Sequence, residues 1–182
     1  MNATNRLVTA QDVWMMGEDA CVERVRGVLR ERPPAGGQHG GVGGRFVGYL
    51  WQYGTETGSG EALSSGTGYI LETSPDTLLV PDVAFVKQRH LPPANAPDWF
   101  IATPPDVALE VLSPSRRFGE LVEKVGIYLT AGVPLVWLAL LRERRVAAFS
   151  ADQLVRGYRS GEILDGGDVL PGFSVPVAEI FE

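Results

Sequence analysis

Several classes of protein are excluded by what this sequence has little of. It holds one cysteine, Cys21. An internal disulfide and a cysteine-based zinc cluster are therefore ruled out, and a reducing cytoplasm is the expected compartment. It holds two histidines, His39 and His90, too far apart for a His-Glu-x-x-His zinc motif. No apolar run reaches the roughly 18 residues that a membrane span needs; residues 135–141 are apolar but lead straight into Arg-Glu-Arg-Arg. The opening MNATNRLVTA lacks a basic stretch followed by an apolar one, so no signal peptide is expected. Positive charge is not in excess: 16 Lys and Arg face 22 Asp and Glu, for a net charge of −6. The surface as a whole offers no attraction to nucleic acid, which argues against tight passive binding. A local basic groove, or a metal bridging to phosphate, stays open. The glycine-rich stretch after Pro34 is not followed by Gly-Lys-Ser/Thr and is no phosphate loop. Ser113 and Ser115 lack the Gly-x-Ser-x-Gly setting of a hydrolase nucleophile.

What is present points to a sheet-rich fold of several short elements. The 182 residues, 45% hydrophobic, suffice for one real core, so a single domain over residues 1–182 is expected. The 22 glycines and 13 prolines cluster as punctuation between short elements, which suits a sheet-rich chain. Thr9 is placed to cap a short helix that packs Trp14 and Met15 inward. Two short strands flank a turn at Gly27. A helix from about residue 39 to 56 buries Val42, Phe46, Tyr49, Leu50 and Tyr53, which recur at three- and four-residue steps. Strands follow around Tyr69, across residues 78–88 and across residues 106–112. Pro81 marks a strand start, edge or irregularity. Ser115 is placed to cap a helix over residues 116–132. A buried strand at residues 135–141, two short strands and a closing turn-rich segment complete the chain.

Two acids lie in otherwise apolar strand segments, Asp82 in PDVAFV and Glu110 in PPDVALEVL. Carboxylates are seldom deeply buried unless paired or bound to metal. If the two segments are neighbours in a sheet, the pair suits Mg2+ or Mn2+, and such an ion activates water at a phosphodiester. Spacing alone equally allows two strand-end acids that meet solvent. Lys124 flanks the apolar face of the following helix, beside Leu121 and Tyr128. There it either reaches the site or snorkels outward to pair with Glu120. Asp106 shares a face with Glu110 but lies about 13 Å away along the strand, and reads as a turn residue. Glu23 reads as a solvated strand residue or as a site residue. His39 is placed to bind phosphate, to move a proton or to cap the helix. His90 reads as an exposed loop residue.

The pieces VERVRGVLRERPP, QHGGVGGRFVGYL, GEALSSGTGYIL, VPDVAFV, PPDVALEVLSPS, FGELVEKVGIYLTAGV, VWLALL and LDGGDVLPGFSVPVAEIF together resemble the Uma2 family of restriction-endonuclease-like proteins, within the PD-(D/E)XK nuclease superfamily. The resemblance covers nearly the whole chain. It implies an α/β fold with a mixed central sheet flanked by helices, and extra short strands. It implies that Asp82 and Glu110 are catalytic and hold the metal. The usual lysine position two residues after the second acid is Leu112 here; the family places its lysine on the next helix, where Lys124 stands. Glu23 and His39 match further family positions. An acid that often follows the Ser-Pro-Ser turn is replaced by Arg116 and Arg117. The implied function is a Mg2+- or Mn2+-dependent endonuclease acting on nucleic acid, chiefly DNA, with a homodimer as the expected assembly. The alternatives are a nuclease-like fold kept as a binding module and a metal-dependent hydrolase of a small phosphoester.

Overall fold

The computed structural model describes residues 7–17, 20–32, 34–112, 118–150, 152 and 155–182. Helix α1 (Ala10–Met15) opens on a capping box in which Thr9 and Asp12 satisfy each other's backbone. Strands β1 (Val22–Val25) and β2 (Val28–Glu31) form a hairpin. Its turn is held by Arg26 and Gly27, both at positive φ (49° and 81°), where glycine is at ease. Helix α2 (Gly37–Thr57) follows and ends on Gly58 in the left-handed region. Then come β3 (Gly60–Ser64), β4 (Tyr69–Glu72), β5 (Thr77–Leu79), β6 (Val83–Lys87) and a single 3-10 turn at Gln88–His90. Strand β7 (Val107–Leu112), helix α3 (Phe118–Thr130) and strand β8 (Leu135–Leu140) make a parallel crossover, the connection that adjacent parallel strands require. Strands β9 (Arg145–Ser150), β10 (Val155–Arg159), β11 (Ile163–Gly166) and β12 (Leu170–Pro176), with helix α4 (Val177–Ile180), close the chain.

The six-stranded sheet runs β10-β9-β8-β7-β6-β3 and is antiparallel except at β7–β8. A four-stranded antiparallel sheet, β2-β1-β5-β4, stands beside it, and β11–β12 is a separate hairpin. Alternation along β7 divides its side chains between two cores. Val107, Leu109 and Val111 join Val42, Phe46 and Leu50 of α2 and the β12–α4 segment. Ala108 joins Val125 and Tyr128 of α3 on the other face. Glu110 has the parity of Ala108, so the period of two turns it toward α3. Helix α2 lies close on the sheet: a Cβ at Gly54 would strike the Gly60 carbonyl.

Four expectations are corrected. Met15 is 74% exposed and Trp14 36%; the six-residue helix is too short to bury a full face, and Trp14 packs edge-on to Phe100 instead. Residues 78–88 are two strands rather than one. The chain leaves the smaller sheet after Leu79 and enters the larger one at Val83, and Pro81, without an N–H, sits at the switch. Asp106 is buried and no mere turn residue: it accepts a hydrogen bond from the Lys87 amide at 2.8 Å. His90 is half-buried, with Nδ1 2.9 Å from the Asp106 carboxylate. Strand β3 was not anticipated. The residues Ser113, Ser115, Arg116 and Arg117 fall outside the described ones. Among the described residues no helix is long and apolar enough to cross a membrane.

Candidate active site

The sheet switch at Pro81 delivers Asp82 to the end of β6, next to the β7 position of Glu110. Val83 pairs with Leu109 in the antiparallel ladder, so the two acids are brought together by register. The Val111 amide donates to Asp82 Oδ2 at 2.8 Å, which ties the first acid to the strand of the second. Lys124 points inward from α3 rather than out toward Glu120. Its ammonium lies 2.5 Å from Glu110 Oε1 and 2.9 Å from Glu23 Oε1. Tyr128, one turn further along α3, donates its hydroxyl to the same Glu110 oxygen at 2.9 Å. Glu23 on β1 also accepts the Val80 amide at 2.9 Å, so both sheets contribute. His39, in the first turn of α2, brings Nε2 to 3.0 Å from Asp82 Oδ2. The contact is close but misaligned, and this nitrogen has no hydrogen-bond partner. Thus Glu23, His39, Asp82, Glu110 and Lys124 form one buried polar cluster.

Two members were not singled out from the sequence. Arg32, just past β2, reaches Asp82 Oδ1 at 3.6 Å and Glu23 Oε1 at 3.7 Å. Nothing in RERPP marks it, because the contact depends on where the hairpin sits against β6. Tyr128 carried a signal: it lies four residues after Lys124, on the same helix face.

The electrostatics follow from burial. Desolvation pushes the Glu110 carboxyl up to about 7; the ammonium of Lys124 opposes this, while Asp82 and Glu23 add to it. Burial acts against the charge of Lys124, but Glu110 and Glu23 outweigh it and raise its pKa. For Asp82, burial is outweighed by the adjacent His39 ring and the Val111 amide, and its carboxyl stays below the usual range. Burial also drives the Tyr128 hydroxyl far up, reinforced by the charge of Glu110, so it remains a donor.

Carboxylate oxygens are the donors that hard divalent ions take, and Mg2+ is commonly held by one or two of them with waters and substrate oxygens. The acid pair fits that chemistry. Among the described residues no group of three His, Cys, Asp or Glu is arranged to hold an ion; Lys124 stands between Glu23 and Glu110 instead.

A model of the Uma2 family, described as "Putative restriction endonuclease", matches residues 10–178. A solved structure described as "a putative nuclease belonging to DUF820 from Anabaena variabilis ATCC 29413" superimposes with a TM-score of 0.82 at 17% identity, covering 96% of this chain and 97% of that one. It shares the fold, a mixed sheet flanked by helices. No curated protein matches the chain.

Proposed function

The chain belongs to the Uma2 family, and from that premise we propose that it is a divalent-metal-dependent endonuclease, hydrolysing phosphodiester bonds in nucleic acid and chiefly DNA. The observation that carries the reading is the acid pair set side by side by the β6–β7 register, with Lys124 2.5 Å from Glu110. Asp82 and Glu110 would hold Mg2+ or Mn2+, which when bound lowers the pKa of water and offsets phosphate charge. Asp82, its carboxyl held below the usual range and fixed by the Val111 amide, would be a charged ligand. Lys124 supplies the cation that orients the attacking water and stabilises charge developing on phosphorus oxygens. Glu23 anchors that ammonium from the other side. His39, with Nε2 3.0 Å from Asp82 Oδ2, steadies that carboxylate. All five residues come from one chain, so this chemistry asks for no residue from the partner in the expected homodimer.

The test uses D82N and E110Q, which keep acceptors for the Val111 amide and the Tyr128 hydroxyl. Wild-type protein should cleave plasmid and oligonucleotides in Mg2+ or Mn2+ and stop in EDTA. Both variants should fold, by circular dichroism and melting, and lose cleavage below detection. A folded D82N protein that cuts at the wild-type rate sinks the assignment.

A second reading has its own support. Lys124 and Arg32 already contact the acids, and no three-residue ion cluster exists among the described residues. That suits a nuclease-like fold serving as a binding module. It predicts no saturable Mg2+ or Mn2+ binding by calorimetry and no cleavage of any DNA or RNA.

A further inference from the structure

A cavity of about 670 Å³ opens beside the acid cluster, within the size range of pockets that take a drug-sized ligand. Two of its lining residues, Val80 and Arg32, are bound directly to that cluster: the Val80 amide holds Glu23, and Arg32 faces Glu23 and Asp82. The cavity is thus separated from the acid cluster by Arg32 and Val80 alone. Its far wall is aromatic, made by Trp14 and Phe100. Trp14 is braced from behind by Trp99, at 4.9 Å between ring centroids, and Phe100 by the same Trp99 at 5.4 Å. Trp14 is nonetheless left 36% exposed and lines the cavity. On the acid side stands Arg32, whose guanidinium lies 3.7 Å from Glu23, 3.6 Å from Asp82 and 3.4 Å from the hydroxyl of Ser65, another lining residue. At the rim stands the exposed carboxylate of Asp98.

Aromatic rings, a guanidinium and a carboxylate lining one cavity are the chemistry that recognises a nucleobase. A base has π-faces to stack, ring and carbonyl acceptors for Arg, and exocyclic amino donors for a carboxylate. A base inside a duplex is stacked and paired and cannot enter; an unpaired or extruded one can. We propose that this cavity binds the unpaired base of a nucleotide flanking the scissile phosphate. The protein thus prefers single-stranded or locally opened nucleic acid. That the base lies next to the cut rests on the nuclease reading; the binding of the base does not.

The chain carries its own probe. Cys21 is the single cysteine, is exposed, and lines the cavity. Its alkylation rate by iodoacetamide is measured on the whole protein with Ca2+ in place of Mg2+. The added strand is a single-stranded oligonucleotide, its duplex, or the same strand carrying abasic sites. The base-bearing single strand should slow alkylation several-fold, while the duplex and the abasic strand leave it unchanged. Trp14→Ala should abolish that protection and weaken single-strand binding by about tenfold or more. Trp14→Phe, which keeps a stacking face, should restore both and guards against a folding defect. Equal protection by duplex or abasic strand, no protection by any strand, or full protection in Trp14→Ala overturns the proposal. Cleavage in Mg2+ is scored separately. Duplex cutting with Cys21 unprotected by any strand removes the pocket and leaves the nuclease. Base-dependent protection without cleavage keeps the pocket and removes the nuclease.

Discussion

Glu110 is where the charge balance of the site is decided. It is fully buried, yet it contacts the ammonium of Lys124 and the hydroxyl of Tyr128. Its carboxyl, ordinarily at 4.5, is raised to about 7 chiefly by burial. The folded protein therefore holds a proton that the unfolded chain releases between those values. The contribution of Glu110 to stability is present below 4.5 and is lost as pH rises through 7. In EDTA, E110Q should gain melting temperature relative to wild type on going from pH 5 to pH 8; no change in that difference refutes the assignment. A divalent ion must displace the same proton, so its affinity by calorimetry should climb up to about pH 7 and flatten above. Removing Lys124 is a different experiment. K124M leaves Glu23 and Glu110 buried without their cation, and breaking a buried pair in this way costs about 3–5 kcal/mol. Its melting temperature should drop, and Mg2+ should recover part of the loss if the acids hold the ion. Asp82, Glu110 and Lys124 were legible as candidates because acids and a lysine in apolar elements are expensive to bury unpaired. Glu23 was not decided by its strand, since alternation in a short hairpin does not say which face meets the other sheet. Arg32 was silent, because its side chain belongs to the site only through tertiary placement.

At the scale of elements, β7 carries a second polar residue at its other end. Asp106 there is buried with the Lys87 amide and the His90 ring as partners, and Lys87 Nζ and Arg89 lie at 4.0 and 3.9 Å. None of these groups touches the acid pair. D106A should destabilise the fold by roughly 1–3 kcal/mol, the cost of orphaned buried donors, read as a lower melting temperature, with cleavage per folded molecule unchanged. A loss of cleavage without destabilisation would place Asp106 in the machinery. Helix α2 makes a similar separation of packing from chemistry. G54A drives a methyl group into the Gly60 carbonyl and the Phe85 ring, and overpacking of this kind costs about 1–3 kcal/mol. The helix itself was readable from its three- and four-residue apolar period despite its glycines. The strand pair at residues 78–88 was not: both halves are apolar, and only the missing N–H of Pro81 hints that the chain changes sheets there. Strand β3 escaped notice because it pairs with β6 at one edge of the larger sheet and is only partly buried, so it lacks the apolar signal that marked its neighbour.

The whole molecule is acidic, with a net charge of −6, and yet its proposed substrate is a polyanion. Three of the described arginines outside the site are engaged by acids. Arg30 makes a two-pronged contact with Glu123 at 2.8 and 2.9 Å, Arg24 is bound to Asp76 at 2.9 Å, and Arg156 to Asp165 at 3.0 Å. The individual strands and helices were legible from their apolar patterning and the mixed α/β architecture from the family resemblance, but this distribution of charge was not, because pairs such as Arg30–Glu123 join residues distant in sequence. With the net charge negative, phosphate contacts outside the active site are expected to be few. Each phosphate neutralised by protein cations steepens the salt dependence of binding by a slope of about 0.9 for duplex and about 0.7 for single strands. Binding of a fluorescent oligonucleotide by D82N, titrated from low to moderate NaCl, should therefore follow a shallow slope equivalent to about two or three phosphates. In the wild-type protein, Ca2+ should strengthen binding, because an ion held by the acid pair would offset phosphate charge; in D82N that gain should shrink. A slope equivalent to about six phosphates or more, unaffected by the divalent ion, would instead mean that a basic surface carries the affinity. The Arg116–Arg117 pair would then be the first place to mutate.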